Sequence, residues 1–250
     1  MEICFLIILG LVQGVCEFLP LSSSGHLVLF SKWFGIEDSL FVSIFLHLAT
    51  LLSIVIVLRK EVFSLIRHPF SDKSMKLYIA TIPTCIIALI FLPIVKKSFS
   101  GDFLPFAFLI TALLLFIVWK NRDKKQDKDF SIKNAIIMGI AQGLAVFPGI
   151  SRSGATISAG ILSGGDRQEC AKFSFIMSIP IIILSMLMEI FDLCRGQEVL
   201  SVNITGLILS FIVAFIVGIL SIKFMVKATE KNSFLLMSIY LVVISIISIF

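Results

Sequence analysis

Gly10-Leu-Val-Gln13-Gly14-Val-Cys-Glu17-Phe18-Leu-Pro20-Leu-Ser22-Ser23-Ser24-Gly25 and Gly139-Ile-Ala-Gln142-Gly143-Leu-Ala-Val146-Phe147-Pro148-Gly149-Ile-Ser151-Arg152-Ser153-Gly154 align without a gap at a spacing of 129 residues, with seven identities in sixteen positions. That is an internal repeat. Each copy begins as an apolar helical run and then breaks into Pro, Ser and Gly, so neither crosses a bilayer cleanly. Outward from the copies lie six stretches suited to a hydrocarbon core of about 30 Å, which takes roughly 17 to 25 residues. They are Leu40 to Leu58, Leu77 to Val95, Phe103 to Trp119, Phe173 to Phe191, Val202 to Phe224 and Phe234 to Phe250. Three follow each copy. An odd number of crossings per half sets the halves in opposite orientations, the pattern of an inverted-topology repeat. The expected fold is an all-α polytopic membrane protein. Six transmembrane helices and two re-entrant broken-helix segments form a single membrane domain, 1–250, with repeat one at 1–120 and repeat two at 131–250.

Composition points the same way. Of 250 residues 58% are hydrophobic and 15% charged, and the mean hydropathy is +1.07. A soluble domain could not cover that much apolar surface with so few charges. The net charge of +5 sits mostly in short segments between apolar runs, where orientation signals belong, and gives no reason to expect nucleic acid. If the broken segments enter from opposite faces, Arg59 to Lys76, Trp119 to Lys133 and Lys223 to Asn232 share one side with fourteen Lys and Arg, against three in Lys96 to Asp102 and Asp192 to Ser201. The positive-inside tendency makes the first set cytoplasmic and opens the N-terminal motif to the outside. The five cysteines lack metal-ligand spacing and read as small buried hydrophobes. Met1 to Leu11 has neither a basic n-region nor a convincing cleavage site, so mature protein is expected there.

Non-helical backbone at membrane depth requires protein or a wet cavity to satisfy its polar groups, so two breaks imply one shared polar cavity. Half-helix N-termini pointing into it attract anions through unpaired amides and the macrodipole. Gln13 and Glu17, four apart, share a helical face. A carboxylate in so apolar a helix costs about 2.5 kcal/mol or more unless paired, protonated or metal-bound, which makes Glu17 a functional candidate. Pro20 ends or kinks the helix. Ser22, Ser23 and Ser24 offer caps and hydroxyls to a half-helix starting near His26, and for Ser22 and Ser24 capping and phosphate contact are equally good readings. Ser23, three residues before His26, is a nucleophile candidate with the imidazole in reach. His47 lies mid-span with no motif around it and reads as structural.

In the second copy Val146 replaces Glu17 and Arg152 replaces Ser23. A guanidinium at membrane depth suits bidentate binding of a phosphoryl group, and an ion pair with Glu17 is compatible with that role. Gly149 and Gly154 allow close backbone approach, while Ser151, Ser153 and Thr156 add donors. Together these groups make a phosphoryl-transfer constellation. A divalent cation near Gln13 and Glu17 would complete it.

At these residues the chain resembles the undecaprenyl-diphosphate phosphatase family, also called the bacitracin-resistance protein family. Gln13-x-x-x-Glu17 followed by Phe18-Leu19-Pro20, the Ser22 to His26 run, Pro148-Gly149-x-Ser151-Arg152-Ser153-Gly154-x-Thr156 and Phe173-Ser174-Phe175-x-x-Ser178-Ile179-Pro180 carry the likeness over essentially the full length. The resemblance implies a hydrolase that removes the terminal phosphate of a polyprenyl diphosphate and so recycles the lipid carrier of cell-wall synthesis. It implies a divalent cation, Mg or Ca, a site facing outside the cytoplasmic membrane, and a homodimer. Catalytic weight falls on Glu17, Ser23, His26 and Arg152. Phosphate contacts fall around Ser151 and Thr156. Whether Ser23 or a water attacks, and whether Glu17 or His26 takes the proton, stays open. The rival reading is a polyprenyl-phosphate transporter, because paired broken helices also mark carriers.

Overall fold

The computed structural model describes residues 2–34, 40–98, 101–122, 130–195, 203–230 and 233–249, and these contain eleven helices and no strand. The chain runs α1 (Glu2–Cys16), α2 (Ser23–Phe34), α3 (Leu40–Val57), α4 (Arg59–Arg67), α5 (Asp72–Ser98), α6 (Leu104–Lys120), α7 (Ile132–Leu144), α8 (Arg152–Leu162), α9 (Arg167–Cys194), α10 (Ile204–Glu230) and α11 (Phe234–Ile247). Helix is what these sequences must form in lipid, because it satisfies every backbone N–H and C=O within its own segment.

Helices α5, α9 and α10 are long and apolar enough to cross a membrane, and α3 joins them when counted with α4. Helix α6 has the length of the expected stretch, 17 residues, set one residue later, while α11, at 14 residues, ends before the expected Phe250. They pack on each other. The hydroxyls of Ser238 and Ser245 on α11 donate to the carbonyls of Ala112 and Pro105 on α6, both at 2.8 Å. The lipid face is plain on α5, where Ile82, Ile86, Leu89, Ile90 and Ile94 are each more than half exposed while Ala80 and Thr84 are buried. Apolar residues outside and small polar ones between helices is the arrangement of a protein whose solvent is hydrocarbon. The chain is therefore a multi-pass, all-α membrane protein.

Helices α5 and α9 begin several residues before the expected Leu77 and Phe173. Their first turns continue past the apolar stretch on local ion pairs, Lys76 to Asp72 at 2.5 Å and Lys172 to Glu169 at 3.0 Å. Arg59 to Lys76, expected as a loop, is a larger departure. Its first half is α4, turned 85° from α3 at Leu58. Of the Lys and Arg counted for orientation, Lys124, Lys125, Lys128 and Lys231 lie at 123–129 and 231–232, outside the described residues.

The packing crosses between the halves. Helix α1 lies along α10, and α7 lies along α5. Gly10 faces the Ser210 backbone and Gly139 faces that of Ala80, each so closely that a Cβ would be driven into the facing carbonyl. Thr84 seals the second contact by donating to the Gly139 carbonyl at 2.8 Å, and Ser53 on α3 donates to the Phe215 carbonyl on α10 at 2.9 Å. We expect Gly139→Val to push α7 off α5 and cost roughly 1 to 3 kcal/mol. The check is thermal unfolding of the detergent-solubilised protein. An unchanged midpoint would mean that the two backbones are not in contact.

Candidate active site

Neither α1 nor α7, at 15 and 13 residues, covers a full hydrocarbon thickness at about 1.5 Å per residue. Each ends in a turn that leads into a second short helix, α2 or α8, and the two turns touch. A Cβ on Gly25 would lie 2.7 Å from the Cα of Gly149, and one on Gly154 would lie 3.1 Å from the Cβ of Pro20. The Ser153 hydroxyl donates across the junction to the Leu19 carbonyl at 3.1 Å. Gly149 has φ +92°, and its Cβ would collide with Ala107, so the second turn needs glycine for both reasons.

Helix α2 starts at Ser23, three residues before the expected His26, and α8 starts at Arg152. These equivalent positions are thus the first residues of two half-helices that meet. Ser22 and Ser151 stand before them as caps, accepting from the Gly25 N–H at 3.3 Å and the Gly154 N–H at 3.1 Å. Neither half-helix has an acid in its own first turn, and the positive ends of both dipoles meet at the junction, where they favour an anion. Ser22 holds φ +69°, the one non-glycine positive φ among the described residues. Strain of that kind gathers at functional sites.

Glu17 is the centre of the junction. It is 6% exposed and accepts three side chains at once. The Ser23 hydroxyl donates to Oε2 at 2.7 Å, Gln13 Nε2 donates to the same oxygen at 3.1 Å, and Arg152 Nη2 pairs with Oε1. A charge buried this deeply persists only with such company. Ser23, Ser24 and Arg152 stay partly exposed, while Gln13, Ser22, His26, Ser151, Ser153 and Thr156 are buried.

His26 is turned away from the Ser23 hydroxyl. Its Nδ1 lies 2.9 Å from the Ser22 carbonyl, which can only accept, so Nδ1 carries the proton; Nε2 lies 2.8 Å from the Tyr240 hydroxyl. The imidazole stacks on the Tyr240 ring and meets Phe108 edge-on. It braces the strained Ser22 backbone. Thr156 donates to the Arg152 carbonyl at 2.8 Å and sits 2.6 Å from the Ser174 hydroxyl, fixing the first turn of α8 against α9. Thr111 accepts the Ser151 N–H at 3.0 Å. The motifs gave no sign of Tyr240 or Thr111. Their only signal was polarity within apolar spans, Tyr240 being one of two tyrosines in the chain.

Among the described residues no three of His, Cys, Asp and Glu stand close enough to hold a metal ion. The buried Gln13 Oε1 has no hydrogen-bond partner, although the same amide touches Glu17 through Nε2. An orphaned amide oxygen beside a carboxylate fits a hard cation that draws its other ligands from water and substrate phosphate.

A lipid-embedded bundle with two half-helix N-termini, a guanidinium, a carboxylate and a serine converging on one point defines a membrane enzyme built for a phosphorylated substrate. The match to known proteins is specific. The sequence fits the family described as bacitracin resistance protein BacA over residues 6–247, and the chain belongs to that family. It is 39% identical over 251 residues to an undecaprenyl-diphosphatase of Thermosipho africanus, covering 98% of each chain. Against the undecaprenyl-diphosphatase of Carboxydothermus hydrogenoformans it is 35% identical over 244 residues, 96% of this chain and 94% of that one. A protein of Bacillus cereus named undecaprenyl-diphosphatase 4 is 36% identical over 237 residues, 93% of this chain and 91% of its own.

Proposed function

We propose that this chain removes the terminal phosphate of undecaprenyl diphosphate, leaving the monophosphate carrier used in cell-wall synthesis. The activity carried by its relatives' names supports this. The observation that carries it to the chemistry is the Glu17 carboxylate, which receives the Ser23 proton while paired with Arg152.

In this reading Ser23 Oγ attacks the terminal phosphorus as its proton passes to Glu17 Oε2, 2.7 Å away; the bridging P–O bond breaks and the lipid monophosphate leaves, and water then cleaves the phosphoserine, releasing inorganic phosphate and restoring the Ser23 hydroxyl. Arg152 keeps one nitrogen on Glu17 Oε1 and turns its remaining donors to the phosphoryl oxygens. The partly exposed first-turn hydroxyls of α2, on Ser23 and Ser24, face the phosphate together with the N-terminal amides of both half-helices. Ser22, Ser151, Ser153, Gly154 and Thr156 have polar groups engaged within the protein and, with Gly149, shape the junction. His26 is a positioning residue for the Ser22 turn. Gln13 and Glu17 would hold a divalent cation, Mg or Ca, which when bound would neutralise charge on the phosphate oxygens.

The same proposal includes two repeats, 1–120 and 131–250, running in opposite senses across the cytoplasmic membrane with the site open to the outside. The distribution of Lys and Arg between the loops favours that orientation. Association as a homodimer rests on the family resemblance. Purified protein in detergent should release phosphate from undecaprenyl diphosphate without any ion gradient. A chelator should stop the release, and Mg²⁺ or Ca²⁺ should restore it. A carrier would release none. Full activity in excess chelator would remove the cation from the proposal and leave the phosphatase standing.

A further inference from the structure

The turn from α3 into α4 builds a second site, remote in kind from the first. Leu58 makes the bend: it is buried, its N–H bonds the Ile54 carbonyl at 2.8 Å, and its carbonyl accepts the Val62 N–H at 2.9 Å, so the 85° elbow is fixed by backbone bonds on both sides. Beyond it α4 has no buried residue. Arg59, Val62, Phe63 and Ile66 recur at the spacing of one helical face. Phe63 is 63% and Ile66 74% exposed. A nine-residue helix with such a face would not persist in water. At the end of a membrane span, lying across its axis, it belongs in the headgroup layer with its apolar face toward the acyl chains.

The elbow is also hollow. Val55, Val62, Phe63 and Ile66 line a groove of about 440 Å³ together with the aliphatic stems of Arg59 and Lys60, the only charged residues on its wall among those described. Neither cation enters an ion pair among the described residues. Helix α4 carries Arg59, Lys60 and Arg67 against one acid, Glu61. An apolar slot with two free cations at one place matches an amphiphile with a single anionic head. We propose that this elbow binds an anionic phospholipid, with its phosphate on Arg59 and Lys60 and an acyl chain along Val62, Phe63 and Ile66. This does not depend on the phosphatase reading.

The test is native mass spectrometry of protein extracted from vesicles of equal parts phosphatidylglycerol and phosphatidylcholine. Wild-type protein should retain phosphatidylglycerol in preference. The doubly substituted Arg59→Gln, Lys60→Gln protein should lose that preference by roughly twenty-five-fold, about fivefold for each cation at an anionic lipid surface. Its retention of phosphatidylcholine and its phosphate release should not change, which verifies its fold. Equal preference in both proteins would overturn the site. So would displacement of the retained lipid by undecaprenyl phosphate, which would make the groove a substrate-tail site. Efficient cross-linking of Phe63→Cys to the same residue of a second copy in membranes would instead make it a protein interface.

Discussion

Arg152→Ala should lower kcat/KM for undecaprenyl diphosphate by roughly 10³, within the range found when a cation that stabilises a transferring phosphoryl group is removed. Arg152→Lys should recover little of the loss, because an ammonium offers no planar fork with which to hold Glu17 and phosphate together. The substitution also strands a buried carboxylate, and losing one partner of a buried pair costs about 3 to 5 kcal/mol. The two effects separate in the double variant. Adding Glu17→Gln to Arg152→Ala removes the unpaired charge and should restore much of the thermal midpoint, yet activity should stay at the level of the single variant or below. If stability and activity return together, Arg152 serves the fold and not the phosphate.

Ser23→Ala should reduce turnover by a comparable factor, 10³ or somewhat more, with KM changed far less. The hydroxyl is only half-buried, so the variant should fold. Glu17 keeps Gln13 and Arg152 as partners when Ser23 is gone. Rapid quenching of wild-type protein with substrate labelled in its terminal phosphate should trap label on Ser23, since the attacking oxygen becomes esterified. Turnover that falls without any trapped phosphoserine would assign the attack to a water held by Ser23. Undiminished phosphate release by Ser23→Ala would remove Ser23 from the chemistry. Because Ser23 and Glu17 act on one proton, combining Ser23→Ala with Glu17→Gln should cost little more than either change alone.

Much of this junction was legible in the residues. The gapless repeat set Ser23 and Arg152 at equivalent positions, and a lone carboxylate and a lone guanidinium in apolar surroundings each needed a partner. Hydropathy marked the long helices for the same reason that it drives them into lipid. What escaped had local causes. Helix α4 is short and dense in charge, so its apolar face was hidden in a segment that reads as a loop. The early start of α2 depends on Ser22 taking a left-handed backbone conformation, which a run of three serines does not announce. The direction of His26 is set by Tyr240, 214 residues away, and no local spacing carries that information. The sequence therefore leaves the proton acceptor of Ser23 open between Glu17 and His26, and the folded chain bonds its hydroxyl to Glu17.

The crossed packing of α1 on α10 and of α7 on α5 has a consequence for how the protein is made. The first motif leaves the ribosome long before the surface on which its helix rests, which is not complete until the chain has reached residue 230. For the first part of that interval Glu17 waits in lipid without Arg152, which is translated 135 residues after it. The first motif is thus seated late, and a nascent chain stopped before α10 should present a polar, unseated hairpin to the membrane's quality control.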